Sequence, residues 1–283
     1  MAVVVEKLTG FTGAEIMGLD LRVLDAEVAG LLLECLALHH VVIVRDQQLS
    51  LDEQKAVTEV FGPLVTLPYV DPLPDDDQVI AVLKEADEVD VGVFGGDWHS
   101  DFSFLANPPA GSVLAAHELP PYGGDTVWAN QVMAHRSLPP ALREVVDDAD
   151  AVHVGKPYGV RWAPPVEERS SASIGMRRGD PDADLDRLHP AVITVPESDE
   201  QALFVNPIYT TRLAHLTEAE SAPILAELYQ HATRPDVSYR HRWRPGDVAI
   251  WNNRTTMHYA TNDYDGHRRL LYRTTFQREP PTR

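Results

Sequence analysis

The sequence predicts a mainly β fold with flanking helices, an α+β class built on a sandwich or jelly-roll core. Two observations predict the β core. From about residue 79 the chain consists of short runs rich in Val, Ile, Thr and aromatic residues, and turn signals such as NPP (107–109) and PPYGGD (120–125) separate these runs. Short strands with regular turns are typical of this class. The flanking helices follow from helical patterns at the start of the chain and between the strands.

The opening segment reads as helix, strand and helix. Residues 25–39 have an amphipathic helical pattern, and the β-branched run at 41–44 predicts a buried strand. Ser50 and Glu53 have the spacing of a capping box ahead of a helix over 52–61, which a Gly-Pro pair ends.

Two further helices are predicted between the strands. The first covers 138–146 and has proline near its first turn, where proline is tolerated. The second covers about 217–233, with either Thr217 or Ser221 as its N-cap. Strand patterns then return at 247–251 and 269–276.

A polar segment interrupts the strand pattern. Residues 160–189 contain several prolines and glycines with weak periodicity, and loops of this length are often lids or disordered segments. We therefore expect one domain over 1–283 with a mobile lid loop near 156–190, since no linker, internal repeat or low-complexity tract divides the chain.

The charge of the chain excludes some partners. The formal net charge is -19, which opposes binding to nucleic acid and to anionic membrane surfaces. The segment 234–283 is an exception, because it holds ten arginines, no lysine and five acidic residues. A local basic site in an acidic protein suits a small anion.

Cys35 is the only cysteine, so no intrachain disulfide can form and a reducing compartment is indicated. The most apolar run, 28–44, is interrupted by Glu34, His39 and His40. No signal-peptide or membrane-span pattern is present, and we expect a cytoplasmic protein.

His99 and Asp101 are the first candidate metal ligands. In an extended strand they would point the same way, about 6.6 Å apart along the backbone. A second histidine on a distant strand would complete the facial triad of two histidines and one carboxylate that holds non-haem iron. His258 is the best candidate, because it follows a strong strand and a turn.

Arg269 and Arg273 strengthen this interpretation. Both lie in the final strand pattern, and an offset of four places both guanidiniums on one face, roughly 13 Å apart. A buried guanidinium needs a carboxylate or phosphate partner. That partner is either a ligand or an acid of the protein itself.

With these residues in place, the sequence resembles the taurine/α-ketoglutarate dioxygenase family, which includes the 2,4-dichlorophenoxyacetate dioxygenases. The resemblance covers nearly the whole chain, and its motifs occur in the family's order. They are VIVRDQ (42–47), VFGPL (60–64), WHSD (98–101), GGDTVW (123–128), HPAV (189–192), QALFVN (201–206), TTR (210–212) and WNNRTTMHYATNDY (251–264).

The resemblance implies a fold, a metal and a set of ligands. The fold would be a double-stranded β-helix, a form of jelly roll. His99, Asp101 and His258 would hold Fe(II) and leave positions for O2 and for 2-oxoglutarate (α-ketoglutarate). It also suggests a homodimer or homotetramer.

The resemblance further implies how the two organic substrates bind. Thr126 and Arg269 would bind the far carboxylate of 2-oxoglutarate, and Arg273 would face an anionic group on the primary substrate. The reaction would hydroxylate a small anionic organic molecule (a carboxylate, sulfonate, sulfate ester or phosphonate) and release succinate and CO2.

The substrate pocket departs from the taurine-using members. They carry asparagine where this chain has Gly95, a histidine in the segment corresponding to 67–71, and phenylalanine in place of Tyr209. We therefore expect Tyr69, Gly95, Tyr158 and Tyr209 to line a pocket that is roomier and more aromatic than a taurine site.

Two other functions fit the same ligands. A zinc-dependent hydrolase would use the three ligands and a metal-bound water. A non-enzymatic jelly-roll protein would bind a metal or a small acid without turnover.

Overall fold

The chain is α+β, and the computed structural model describes residues 2–162 and 173–283. Its α-helices are α1 (Ala26–His39), α2 (Leu51–Glu59), α3 (Gln131–Arg136), α4 (Pro140–Val146) and α5 (Glu218–Ala232). Its first strands are β1 (Val4–Lys7), β2 (Ala14–Met17), β3 (Val41–Val44), β4 (Val79–Lys84), β5 (Gly111–Glu118), β6 (Thr126–Asn130), β7 (Asp150–His153) and β8 (Arg187–Pro190). The later strands are β9 (Val192–Val195), β10 (Glu200–Leu203), β11 (Thr210–Leu213), β12 (Ser238–His241), β13 (Val248–Asn252), β14 (Thr256–Ala260) and β15 (Arg269–Phe276).

The strands form one large sheet and smaller ones. The seven-stranded sheet has the order β1-β2-β3-β13-β5-β15-β4, in which β2 and β3 run parallel and the other neighbours antiparallel. The smaller sheets are β12-β6-β14, β11-β7-β8 and β10-β9. Strands distant in sequence are therefore neighbours, and this brings the two halves of the candidate site together.

Helix α1 forms for the reasons that the sequence indicates. The Asp25 side chain caps it by accepting hydrogen bonds from the backbone N–H groups of Glu27 and Val28. Leu32, Cys35 and Leu36 on its inner face are buried against the large sheet. Burying a leucine side chain contributes about 1.5–3 kcal/mol to folding. The predicted helix over 25–39 and strand over 41–44 are confirmed.

Helices α2, α4 and α5 lie at the predicted positions with small differences, whereas α3 was not predicted. The capping box of Ser50 and Glu53 is present, but α2 ends at Glu59, before the Gly-Pro pair is reached. Thr217 caps α5 with its own capping box, whereas Ser221 lies inside the helix and accepts a hydrogen bond from the backbone N–H of Leu213.

The predicted loop over 160–189 is partly regular. Its residues 163–172 lie outside the part that the structure describes. The remainder contains the 3-10 helix Pro181–Asp184 and most of β8, which pairs with β7. The sequence missed β8 because half of its side chains are polar and its pairing partner lies 30 to 40 residues away.

No helix in the described ranges is both long enough and apolar enough to cross a bilayer.

His40 is expected to make the stability of the fold depend on pH. It follows α1 in the left-handed conformation, with φ 66°, and its side chain is buried with Nδ1 unpartnered in the described structure. Burial lowers the pKa of His40 from 6.5 to about 4. Between these pH values the unfolded chain binds a proton that the folded chain does not. Stability is therefore lost as pH falls from 6.5 to 4, by about 3 kcal/mol.

The variant His40→Asn isolates this contribution, because asparagine tolerates the left-handed conformation and does not titrate there. Urea unfolding at several pH values between 7 and 4 should show a smaller loss of stability in the variant than in the parent. Equal losses in the two proteins would contradict the assignment.

Candidate active site

His99 and His258 are held side by side by their backbones. His258 lies in the middle of β14, where it pairs with Trp128 of β6. The backbone N–H of His99 donates to the carbonyl of His258 at 3.0 Å, and the N–H of His258 donates to the carbonyl of His99 at 2.8 Å. The predicted strand placement of His258 is confirmed.

The expected strand around His99 and Asp101 is wrong. His99 makes one isolated bridge, and Asp101 begins a turn in which Phe102 has φ 47°. The turn brings the carboxylate back toward the imidazoles, which a continuous strand would not do.

The three predicted metal ligands converge. Nε2 of His99 lies 3.4 Å from Oδ1 of Asp101, and Nε2 of His258 lies 3.8 Å from the same oxygen. The ligand atoms of the three buried side chains all lie within 4.8 Å of one another. Ligands at about 2 Å from a common cation are roughly 3–4 Å apart. The donor set of two imidazoles and one carboxylate fits Fe(II) in both type and spacing.

Neighbouring groups orient these ligands. The Nδ1 atom of His99 lies 2.7 Å from the carbonyl of Asp97, an arrangement in which Nδ1 donates and Nε2 stays free for a metal. Asn253 accepts a hydrogen bond from the backbone N–H of Asp101 at 2.6 Å and donates to the carbonyls of Asp101 and Pro109. The sequence places Asn253 in the motif WNNRTTMHYATNDY, but no local pattern indicates that it positions Asp101.

The charges around Asp101 keep it ionised. Burial alone would raise the pKa of its carboxyl, but Arg273 and the two imidazoles lower that pKa to well below its usual range. Burial also lowers the pKa of His258 well below its usual value, so this imidazole is neutral and its lone pair is available to a metal.

Arg273 pairs with an acid of the protein itself, one of the two partners that the sequence leaves open, whereas the resemblance implies that it faces the primary substrate. Its Nη2 lies 2.6 Å from Oδ2 of Asp101, and its Nη1 donates to Oδ1 at 3.1 Å. Its Nε donates to the hydroxyl of Ser112 at 3.2 Å. A buried guanidinium takes the nearest carboxylate, and here an acid of the protein supplies it.

Arg269 is buried and has no acidic side chain within ion-pair distance in the described ranges. Its Nε donates to the carbonyl of Gly124 at 3.1 Å, and the ring of Tyr264 lies 5.9 Å from its Cζ. Burial lowers its pKa, which Tyr264 and Asp125 partly offset. An underpaired buried cation of this kind is suited to an anionic ligand.

Thr126 is also buried, at the start of β6. Its hydroxyl accepts a hydrogen bond from Nε1 of Trp243 at 3.0 Å, so its own proton is free to donate elsewhere. Thr126 follows the Gly123–Asp125 turn that contacts Arg269.

Gly124 is expected to be irreplaceable beside Arg269. It has φ 67°, and a Cβ added there would lie 2.9 Å from both Cδ and Nε of Arg269. Gly124→Ala should displace the Arg269 guanidinium and weaken 2-oxoglutarate binding by about tenfold. The positive φ should also strain the alanine backbone and lower the stability of the fold by roughly 1–2 kcal/mol.

Gly266→Ala is the matched control, because Gly266 has φ 81° and nothing within 4 Å of its added Cβ. Both variants should lose stability, but only Gly124→Ala should raise the KM for 2-oxoglutarate. Equal KM values in the two variants would contradict the assigned contact.

A cavity of about 130 Å³ opens beside the metal ligands, and mostly apolar side chains line it. Three predicted pocket residues, Gly95, Tyr158 and Tyr209, line the cavity. The lining also contains apolar residues that the sequence did not indicate, among them Val93, Phe94, Phe102, Met176 and Ile208. Tyr69 is not in the lining, which corrects the prediction: its ring stacks on Tyr158 at 4.9 Å and supports that ring from behind.

The comparisons with known proteins agree with this geometry. The sequence model described as "Taurine catabolism dioxygenase TauD, TfdA family" matches residues 5–275. The chain belongs to the TauD/TfdA family of α-ketoglutarate-dependent dioxygenases. It is therefore an oxidoreductase of the class that uses Fe(II), α-ketoglutarate and O2. This favours the oxidative interpretation over a zinc hydrolase or a non-enzymatic binding protein.

Several relatives in the family cover almost the whole chain. An alkylsulfatase from Acinetobacter baylyi is 33% identical over 279 residues, which cover 98% of this chain and 85% of the relative. An alpha-ketoglutarate-dependent sulfate ester dioxygenase from Pseudomonas putida is also 33% identical, with coverages of 98% and 90%. The crystal structure of a taurine dioxygenase from Burkholderia xenovorans superposes with a TM-score of 0.82 at 30% identity, covering 100% of this chain and 93% of that one.

Gly95 leaves space open beside His99. It has φ 76°, its carbonyl accepts a hydrogen bond from the backbone N–H of Ala260, and an added Cβ would lie 3.2 Å from Cε1 of His99. Any side chain at this position would narrow the space directly beside the His99 imidazole.

Proposed function

We propose that this dioxygenase hydroxylates a small organic sulfate ester with an apolar alkyl or arylalkyl body, releasing succinate and CO2 from 2-oxoglutarate. The observation that carries the proposal is that His99, Asp101 and His258 converge and that two of them, His99 and Asp101, line a mostly apolar cavity. The names of the two relatives at 33% identity support a sulfate ester. A sulfonate of similar shape is the next choice.

His99, Asp101 and His258 would hold Fe(II), which together with 2-oxoglutarate and O2 supplies the oxidising power for attack on a C–H bond. Arg269 binds the far carboxylate of 2-oxoglutarate through its fork, and the Thr126 hydroxyl donates to the same group. The apolar lining excludes water from the reacting carbon.

We propose that Arg273 binds the sulfate group of the substrate in addition to pairing with Asp101. Although Nη2 lies 2.6 Å from Oδ2 of Asp101, neither atom makes an aligned hydrogen bond in the described structure. Nη2 would then share its positive charge between the Asp101 carboxylate and the sulfate. Hydroxylation at the carbon that bears the ester oxygen gives a 1-hydroxyalkyl sulfate. Its C–O bond to sulfate then cleaves and its hydroxyl proton is lost, which gives an aldehyde and sulfate.

The walls of the cavity favour an uncharged substrate body. Tyr158 stacks against Phe102 at 5.6 Å, and Tyr209 contacts Phe104 at 4.9 Å. Burial raises the pKa of Tyr158 to about 12, and the pKa of Tyr209 lies well above its usual value, so both hydroxyls stay protonated. The lining contains two carboxylates. Asp101 is already paired with Arg273, and Asp97 is exposed to solvent.

The finer points of architecture belong to the same proposal. We infer that the sheets form the double-stranded β-helix of the family and that 1–283 is one domain with a lid segment near 156–190. Tyr158 and Met176 of this segment line the cavity, and its residues 163–172 lie outside the described structure. A homodimer or homotetramer and a cytoplasmic location complete the proposal.

A panel of substrates with one matched body tests it. Octyl sulfate, octanesulfonate, octanoate and octylphosphonate are compared with taurine, and succinate release is measured with Fe(II), ascorbate and 2-oxoglutarate. Octyl sulfate should exceed taurine by about tenfold or more, since each buried CH₂ contributes about 0.8 kcal/mol. His99→Ala should be inactive on every member. Taurine as the best substrate would contradict the proposal.

A further inference from the structure

Lys84 is a buried cation beside Arg269 that the functions described above leave unexplained. It is the last residue of β4, and it is the register partner of Arg269 on β15. The two side chains therefore leave the sheet on the same face, next to each other. Lys84 is only 3% exposed, and a lysine is almost never so buried without a structural or functional reason.

Lys84 contacts the segment 261–265, the first part of the connection from β14 to β15. Its Nζ donates to Oδ1 of Asn262 at 2.8 Å and to Oδ1 of Asp265 at 2.5 Å. Between these two contacts lies Tyr264, whose ring centre is 5.0 Å from Nζ of Lys84. The same ring faces Arg269, so a single aromatic side chain contacts both cations.

The segment 261–265 also controls the hydrogen-bond partner of Arg269. Oδ1 of Asp263 accepts a hydrogen bond from the backbone N–H of Gly124 at 2.8 Å and another from the hydroxyl of Thr261 at 2.9 Å. The carbonyl of Gly124 then accepts the hydrogen bond from Nε of Arg269 at 3.1 Å. Both groups that fix the guanidinium, the Tyr264 ring and the Gly124 carbonyl, thus depend on this one segment.

We propose that Lys84 is a positioning residue for the cosubstrate. By fixing the segment 261–265, it holds the Arg269 guanidinium ready for the far carboxylate of 2-oxoglutarate. The inference rests on the proposed function in one respect, the assignment of Arg269 to that carboxylate. Without Lys84 the segment loses both of its side-chain anchors to β4, and Arg269 must be ordered when the ligand binds.

The variant Lys84→Met tests this, because methionine fills much of the same space without the charge. The dissociation constant of 2-oxoglutarate is measured anaerobically by calorimetry on the Fe(II)-loaded chain, together with the melting temperature. We expect 2-oxoglutarate to bind about tenfold more weakly, because the Arg269 side chain would have to be ordered when the ligand binds. Fe(II) affinity should change less than twofold.

Lys55→Met is the matched control. Lys55 also pairs with two carboxylates, those of Asp52 and Asp76, but it lies on α2 and touches no part of the segment 261–265. It should bind 2-oxoglutarate as the parent does. Asp265→Asn is a second variant that removes the same ion pair at a half-exposed position, so it remains informative if Lys84→Met does not fold. It should weaken 2-oxoglutarate binding by about threefold.

Arg269→Gln serves as the reference for the site itself. If it weakens 2-oxoglutarate binding while Lys84→Met and Asp265→Asn bind like the parent, the positioning role is overturned and the proposed function stands. If Arg269→Gln also binds like the parent, the assignment of Arg269 fails and the role of Lys84 fails with it. Weaker binding in all three, with Lys55→Met unchanged, is the result that supports the inference.

Discussion

Replacement of Asp101 with alanine is expected to abolish Fe(II) binding and turnover and also to destabilise the fold by about 3–5 kcal/mol. The second effect arises because Arg273 is 3% exposed and its only ion pair in the described structure is with Asp101. The variant leaves a buried guanidinium without its counter-charge. Urea unfolding of the metal-free protein measures the loss.

The double variant Asp101→Ala/Arg273→Met separates the two effects. Removing the unpaired cation should return most of the lost stability, while metal binding and turnover stay absent. If Asp101→Ala alone is as stable as the parent, the buried ion pair does not have the role that its geometry indicates.

Arg269→Gln is expected to weaken 2-oxoglutarate binding by about 100-fold, the effect of losing two charge-assisted hydrogen bonds. The loss should appear in the KM for 2-oxoglutarate and in its dissociation constant, with little change in Fe(II) affinity. Arg269 lies about 13 Å along β15 from Arg273, so its substitution does not disturb the pair with Asp101.

The adjacent Arg268 provides the matched control. Arg268 directly precedes β15, and its side chain pairs with Glu85 and Glu118 on the partly exposed surface. Arg268→Gln should change the KM for 2-oxoglutarate less than twofold. An equal effect of the two substitutions would show that the basic character of the strand, rather than one directed guanidinium, attracts the cosubstrate.

Local features of the fold were predictable because their causes are local. Asp25 and Ser50 begin helices where their side chains can accept the first free N–H groups. The final strand was predicted with its exact limits, since RLLYRTTF has a clear β pattern. Helix α3 was missed, and its six residues are too few for a periodic signal.

The partners of the buried charges were not predictable in the same way. Arg273 and Asp101 are 172 residues apart, and which acid meets which arginine depends on the order of strands in the sheet. Lys84 and Arg269 become neighbours only through the pairing of β4 with β15. The sequence contains both residues of each pair but no local pattern that connects them.

The metal ligands were found for a different reason. His99, Asp101 and His258 match a motif whose chemistry requires those residue types, whatever the backbone does between them. The details of the backbone were wrong, since a turn rather than a strand brings Asp101 toward the imidazoles. A match in chemistry therefore predicted the site better than the strand periodicity did.

An anaerobic titration of the metal-free protein with Fe(II) in the presence of 2-oxoglutarate, followed by the charge-transfer absorption of the chelate, tests whether His99, Asp101 and His258 hold the iron. One Fe(II) should bind per chain, and the absorption band should require both components and be lost in His258→Ala. A band of full intensity in His258→Ala, or no band in the parent protein, would show that these three side chains do not hold the iron to which 2-oxoglutarate binds.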